Sequence, residues 1–390
     1  MTRSYIYDAV RTPFGRIGKS LAGIRSDDLA AGTIQELLKR HPNFDSALIE
    51  DLILGDANQA GEDNRNVARM AAILAGLPLG VPGVTVNRLC GSSMEAVIQA
   101  SRAIEAGDAN ALIAGGVESM SRAPWVVLKP EDPYPTGNTQ MHSTTLGWRM
   151  VNPQMDSAWT VPLGETAEIL ADDYGISRER QDEFALRSHQ LASRAWDDGR
   201  YDGEIVRPLG IDLERDENIR ADASLESLGK LKPVFRQNGT VTAGNSSSLN
   251  DGASMTVIGG EKLEGFDEPL AAITGRGVFA NEPNRFGIAP VEAANRALKR
   301  AGRTWDEVDL LELNEAFAAQ SIACIDLWKE LDPEKVNVDG GAIAIGHPLG
   351  ASGTRIVGHL AHMLKARGGG VGVAAICIGV GQGLAVVIEA

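Results

Sequence analysis

The second half of this chain repeats the grammar of the first, and that repeat restricts the fold more than any other feature. SYIYDAV reads as a strand, followed by a helix from about Ser26, where Ser26-Asp27-Asp28 offers a cap and an acidic first turn, through Leu38. LIEDLILGD reads as a strand, NRNVARMAAILAG as a helix ending at Gly76, and GVTVN as a buried strand. Met94, Val97, Ile98 and Ile104 then fall at helical spacing, and ALIAGGVES is the next strand. After Asp267, PLAAITGRG mirrors the first strand, VEAANRALKRAG the first helix, DEVDLLELNEAF the second strand, VNVDGG the third, and SGTRIVGHLAHMLKARGG the helix after it. VGVAAICIGVGQGLAVVIEA supplies two closing strands, and their first-half partners are ALIAGGVES and ASMTVIGG, which an insertion separates. The expectation is an α/β chain of two repeated βαβαβαββ halves: 1–119 with 250–267, and 268–390, with 120–249 as an inserted lobe.

The insert differs from the scaffold in composition. It holds four of the six tryptophans, many charges, and two helical stretches, TAEILADDYG and SRERQDEFALRSHQLASRAW, the second opening at Ser177. A lobe set over a repeat scaffold is where a bulky ligand is gripped.

Composition narrows the function classes. A net charge of −15 argues against a nucleic-acid binder, which needs a basic face to displace counterions from phosphate, and an anionic ligand would need a local basic patch. Three cysteines without a pairing pattern fit a reducing compartment better than a disulfide framework, and zinc-type spacings are absent, so no metal is expected. No apolar run approaches the roughly 20 residues of a membrane span, and MTRSYIYDAVRTP lacks the apolar core of a secretion signal. These features lead to the expectation of a cytoplasmic protein that engages no membrane. FGRIGKS imitates a phosphate loop, but the first required glycine falls at Pro13.

Four positions could carry chemistry. Cys90 sits where a strand becomes a helix, so free backbone N–H groups and the positive end of the helix dipole favour a thiolate there. A small buried hydrophobe is the competing reading. Asn314, His347 and Cys377 lie in loops at the ends of second-half strands, and the repeat would bring Cys90 beside His347. A cysteine beside a histidine is an activated nucleophile, and a second cysteine there is a candidate acid/base at carbon. Asn314 could instead cap a helix beginning at Glu315, and Cys324 reads as core.

DAVRTPFG, NRLCGSS, GGVESMSRAP, GETAE, VTAGNSSSLNDGA, ELNEAFAAQ, NVDGGAIAIGHPLGASG and CIGVGQG occur in the order in which the thiolase family carries them, and the chain resembles that family over essentially its whole length. The resemblance implies a five-layered α-β-α-β-α fold whose inserted loop domain holds coenzyme A as a co-substrate, with no permanently bound cofactor. Cys90 is similar to the acylated nucleophile, His347 to its activating base, and Cys377 to the acid/base at the α-carbon. Asn314 is similar to the residue holding a water that forms an enolate oxyanion site with His347. The N–H groups of Cys90 and Gly379 match the second oxyanion site. Ser247 matches a pantetheine-loop serine, Arg220 resembles a contact to the nucleotide end, and Phe317 could line the pantetheine tunnel. The implied partners are acyl-CoA and CoA, and the implied assembly is a homodimer or homotetramer. Pro162 stands where some biosynthetic members carry His, and Ser246 and Ser248 replace the commoner Ala and Gly. GEDNRNVARMA and STTLGWRMVNPQM resemble the branch acting on 3-oxoadipyl-CoA. Arg149 is a candidate partner for the distal carboxylate of that substrate, a solvated surface arginine being the other reading.

Overall fold

The computed structural model describes residues 3–59 and 61–390; Met1 and Thr2, which open the N-terminal half assigned above, and Ala60 lie outside the described residues. The first half runs β1 (Ser4–Arg11), α1 (Ser26–Lys39), β2 (Asp51–Gly55), α2 (Val67–Leu74), β3 (Val84–Val86), α3 (Ser92–Ala106) and β4 (Ala111–Ser119). The insert carries α4 (Leu163–Tyr174) and α5 (Arg178–Asp197), and β5 (Asn250–Gly259) returns to pair antiparallel with β4. The second half runs β6 (Ala271–Ala280), α6 (Ala289–Ala301), β7 (Leu310–Leu313), α7 (Ala318–Leu327), α8 (Leu349–Ala366), β8 (Val371–Ile378) and β9 (Gln382–Glu389). One hydrogen-bonded path joins the strands in the order β7-β8-β9-β6-β1-β5-β4-β2-β3, and Gly15–Arg16 pairs with β5 beside it. The halves meet where Ser4–Ile6 of β1 pairs with Ala271–Ile273 of β6.

Strand alternation builds the layers, because successive side chains point to opposite faces. Leu52, Leu54, Ile113, Val117, Met255 and Val257 pack outward under α1 and α2. Their neighbours Ile53, Leu112, Ala114 and Ile258 face inward, onto a core shared with α3, α8 and the inward residues Ala374, Ile376, Leu384 and Val386 of the second half. The alternate set, Val373, Ala375, Ala385 and Val387, packs outward against α6 and α7. The result is five layers, α-β-α-β-α, with α3 and α8 buried between the two sheet regions.

Those two central helices touch closely. A Cβ on Gly353 of α8 would lie 2.3 Å from the Met94 nitrogen of α3, and a Cβ on Gly116 of β4 would lie 2.0 Å from the Gly350 carbonyl oxygen. Only hydrogen fits at either place. Cross-bonds fix the register: Thr354 N–H donates to Ser93 Oγ at 2.9 Å, and the Thr354 hydroxyl donates to Ser93 O at 3.2 Å.

A buried charged network ties the insert to both halves. Arg11 of β1 pairs with Glu204 (2.6 Å) and Asp216 (2.7 Å), and His359 of α8 pairs with the same Glu204 at 2.8 Å. Burial opposes the His359 charge, but Glu204 and Asp339 raise the imidazole to about 10, while Glu204 is held well below the usual carboxylate range.

Three local expectations are corrected. GVTVN is an edge strand rather than a buried one, with Val84 41 % exposed, because nothing pairs on its outer side among the described residues. VNVDGG is not a strand: Val336 makes a single bridge to Leu311, and Asn337, at φ 48°, uses its side chain to bind the Leu313 N–H and C=O. That amide takes the place of a ladder. Ser26 does not cap α1; Arg25 holds the cap position without a side-chain cap bond, and Asp27 accepts the Asp28 N–H while pairing with Arg25.

Gly353→Ala is expected to cost about 1–3 kcal/mol by overpacking, whereas Gly260→Ala, with open space around it, stays within about 0.5 kcal/mol; thermal unfolding compares them. His359→Gln removes one partner of a buried pair and is expected to cost about 3–5 kcal/mol. The folded pKa lies above the unfolded value, so this contribution is full below about pH 6.5 and fades as pH rises toward 10. The gap in melting temperature between wild type and variant should therefore narrow across that window.

Candidate active site

The Cys90 turn is shaped by its own polar side chains. Leu89 N–H donates to Asn87 Oδ1 (2.9 Å), Arg88 N–H donates to Ser92 Oγ (2.9 Å), and the Ser92 hydroxyl donates to Leu89 O (2.6 Å). Leu89 adopts φ 46°, which lifts Cys90 ahead of α3. The turn rests on the end of β8, where a Cβ on Gly91 would come within 2.4 Å of Ile378 Cδ1. Burial pushes the Cys90 thiol up to about 11, against the N–H groups of Gly379 and of Cys90 itself, which face the sulfur and favour its thiolate. Cys377 lies close enough to Cys90 for the two charges to interact, and burial first, then Cys90 and Cys324, pushes it well above the usual thiol range.

His347 is held from three directions. Its N–H donates to Asn250 Oδ1 (3.0 Å), its Nδ1 lies 2.6 Å from Ser352 Oγ, and Ser352 Oγ lies 2.8 Å from Pro348 O. The single Ser352 proton goes to Pro348 O, so Ser352 accepts from Nδ1–H and Nε2 is left with its lone pair. That lone pair faces Asn314 Nδ2 at 3.4 Å. Burial, followed by the charge of Arg355, lowers His347 to about 3, so the ring is neutral.

Asn314 follows β7 directly and extends the ladder through its N–H to Ala375 O at 2.9 Å. It does not cap a helix. α7 begins at Ala318, and Glu315 is buried in bonds from Ser188 (2.7 Å), Asn337 (2.7 Å) and the Ile343 N–H (3.1 Å). Asn314 Oδ1 is buried without a protein partner among the described residues.

A cavity of about 380 Å³ opens over Cys90 and Gly379, with Glu118 and Leu349 on its wall and residues 144–149 along its rim. Glu118 was not singled out from the sequence, although an acid inside the wholly buried strand ALIAGGVES was a signal for it. Its carboxylate accepts from the N–H groups of Ala57 (3.0 Å) and Gly350 (2.9 Å), and burial raises it to about 7. Ser352 and Asn250 were missed as well, because their partners are set by the fold. Ser247 donates its N–H to Ala316 O at 3.0 Å, beside Phe317, whose ring meets Phe235 edge-on at 6.2 Å. Arg220 is exposed, its N–H on His189 Nδ1, and no described contact joins it to that pair. Among the described residues no cluster of three or more His, Cys, Asp or Glu is arranged to hold a metal ion, and no helix is long and apolar enough to cross a membrane.

Layering, paired thiols and a neutral imidazole together describe an acyl-transfer site on a duplicated α/β scaffold. The family models for the thiolase N-terminal domain and the thiolase C-terminal domain match residues 4–262 and 267–390, and the chain belongs to the thiolase family, whose members are acyltransferases. It is 48% identical over 403 residues to the beta-ketoadipyl-CoA thiolase of Acinetobacter baylyi, covering 100% of both chains. It is 47% identical over 400 residues to the 3-oxoadipyl-CoA/3-oxo-5,6-dehydrosuberyl-CoA thiolase of Escherichia coli, again covering 100% of both. The structure of human mitochondrial 3-ketoacyl-CoA thiolase in complex with CoA superposes with a TM-score of 0.93 at 38% identity, covering 100% of this chain and 98% of that one.

Alkylation should report the thiol environments directly. Cys90, 8% exposed, is expected to react with iodoacetamide before Cys377 (1%) and Cys324 (0%), and its rate should still be climbing near pH 10. A plateau near the ordinary thiol value of about 8.5, read by peptide mass spectrometry, would show that burial does not control it.

Proposed function

We propose that this thiolase cleaves 3-oxoadipyl-CoA with coenzyme A, giving acetyl-CoA and succinyl-CoA through an acyl-Cys90 intermediate. The observation that carries the reading is the pair of buried thiols, Cys90 and Cys377, within electrostatic reach of each other. Binding alone needs neither; cleavage of a carbon–carbon bond next to a thioester needs a nucleophile at one carbon and a proton source at the next.

The Cys90 sulfur attacks C3 while its proton passes to His347 Nε2. The N–H groups of Cys90 and Gly379 hold the oxyanion at C3, in the way oxyanion-hole donors worth about 2.7–4 kcal/mol each do elsewhere. Collapse breaks the C2–C3 bond and leaves an enolate on the thioester, where protonated His347 and a water on Asn314 Oδ1 donate to its oxygen. Cys377 then delivers its proton to C2, and acetyl-CoA leaves. Incoming coenzyme A gives its thiol proton to Cys377, its sulfur takes the acyl group, and Cys90 recovers its proton from His347. The insert, 120–249, together with Ser247, Phe317 and Arg220, is the part we assign to holding coenzyme A. The exposed edge β3 suits pairing in a dimer or tetramer, and three unpaired cysteines suit the cytoplasm.

Purified protein should cleave 3-oxoadipyl-CoA in preference to acetoacetyl-CoA and a medium-chain neutral 3-oxoacyl-CoA. Without free coenzyme A, a succinyl mass should appear on the Cys90 peptide, and Cys90→Ala should lose about 10³-fold or more of turnover. Preference for a neutral chain would overturn the substrate, and cleavage of none of them would overturn the activity.

A further inference from the structure

The rim of the Cys90 cavity is a fixed wall. Asn58 Nδ2 donates to the Thr144 carbonyl (3.2 Å) and hydroxyl (2.8 Å), and that hydroxyl donates to Pro124 O at 2.7 Å. At the other end the Trp148 indole N–H donates to Val161 O at 3.1 Å. Positive φ at Gly147 (87°) and Met150 (52°) brackets Trp148 and Arg149 and turns the chain around them. Arg149 therefore sits on the cavity lining by construction of its loop.

Two further features mark this arginine. It is the one cation on the lining among the described residues, in a chain of net charge −15. It also makes no ion pair or hydrogen bond among the described residues, unlike Arg88 and Arg122, which are paired with Glu95 and Glu62. An unpaired guanidinium presents a planar fork matched to a carboxylate, and its exposure in the free protein means that no partner must be displaced.

We propose that Arg149 receives the carboxylate at the far end of the acyl chain and so selects dicarboxylic 3-oxoacyl-CoA over neutral chains of the same length. This rests on the thiolytic reading above. The acyl group left on Cys90 is then a succinyl group, whose carboxylate is separated from the thioester carbon by two methylenes. Leu89, Leu163 and Val380 offer those methylenes an apolar surface. Glu118, the acidic residue on the lining, offers an acid no counter-charge on its own side of the chamber, so Arg149 is the cationic partner there. Filling the cavity excludes water from the Arg149 contact and strengthens it.

The test compares 3-oxoadipyl-CoA with 3-oxohexanoyl-CoA, the same chain without the acid, in wild type, Arg149→Gln and Arg149→Lys. The ratio of the two kcat/KM values should fall about 10- to 100-fold in Arg149→Gln, the worth of one charge-assisted contact, and recover in part in Arg149→Lys. The same ratio should weaken with added salt in wild type only. Acylation of Cys90 by succinyl-CoA against butyryl-CoA, read by mass spectrometry, gives a second measure that does not depend on carbon–carbon cleavage. An equal loss on both substrates, or a rise confined to the KM for coenzyme A, would overturn the proposal in favour of a wall or cofactor role, and so would an unchanged ratio. If wild type shows no preference for the diacid, the substrate reading fails instead; a succinyl-over-butyryl preference that is lost in Arg149→Gln would still identify the arginine as a carboxylate receptor.

Discussion

Everything at the reaction centre depends on how closely α3 and α8 approach each other. Each helix belongs to a different half, and each is preceded by one chemical residue: Cys90 stands immediately before Gly91, the cap of α3, and His347 immediately before Pro348, the cap of α8. A side chain at Gly353 would meet the backbone of α3, and one at Gly116 would meet the Gly350 carbonyl, so either would push α8 from its seat. Both helices also begin near the chamber that Cys90 and Leu349 line, so the positive ends of their dipoles lie toward it. Cys90 comes from the first half, and His347, Asn314 and Cys377 from the second.

The repeat extends to the residues around that pair. Asp56 follows β2 as Asn314 follows β7, and Glu118 is the penultimate residue of β4 as Cys377 is of β8. Duplication thus supplies equivalent positions and the two copies fill them differently, carboxylates in the first half and an amide and a thiol in the second. Burial then sets the charge state. Cys90, Cys377 and Glu118 are pushed up and His347 down, so burial favours the uncharged form of each. A standing thiolate–imidazolium pair would be costly there, and charge appears only as the substrate's oxygen takes it up against fixed N–H donors. The network around Arg11 and His359 shows the opposite solution. There the charges persist in a dry interior because each has a partner within hydrogen-bond distance.

The sequence carried the layers and the loops that hold Cys90, Asn314, His347 and Cys377, because both leave local marks. The short apolar run of ALIAGGVES and period-3.6 spacing after Cys90 mark element type, and a repeated order of elements marks which strands are partners. Local pattern does not report what lies beside a strand, so GVTVN looked buried when its outer edge is open. It also does not report a side chain that substitutes for backbone at long range. Asn337 binding Leu313 turned an apparent strand into a plug, and Asp27 pairing with Arg25 displaced the expected cap. Ser352 and Glu118 escaped notice for the same reason: one sets a tautomer and the other joins two backbone amides, and neither task has a spacing rule. Arg220, brought in by resemblance alone, is the residue that no described contact carries to the site.

The rim and the core around Cys90 differ in packing. Cys90, His347, Cys377 and Asn314 are set by glycine contacts and ladders inside a close-packed core, where a change of one methyl is felt throughout. The rim from Thr144 to Arg149 belongs to the insert, hangs from Asn58 and Val161, and touches the chamber only from outside. A core of two similar halves with an inserted rim can therefore change its exposed rim side chains while the helix pair behind Cys90 and His347 keeps its geometry. In this chain the rim carries, among the described residues, the one cation on the lining, and the wall carries one carboxyl, a pairing that suits an acyl chain ending in an acid.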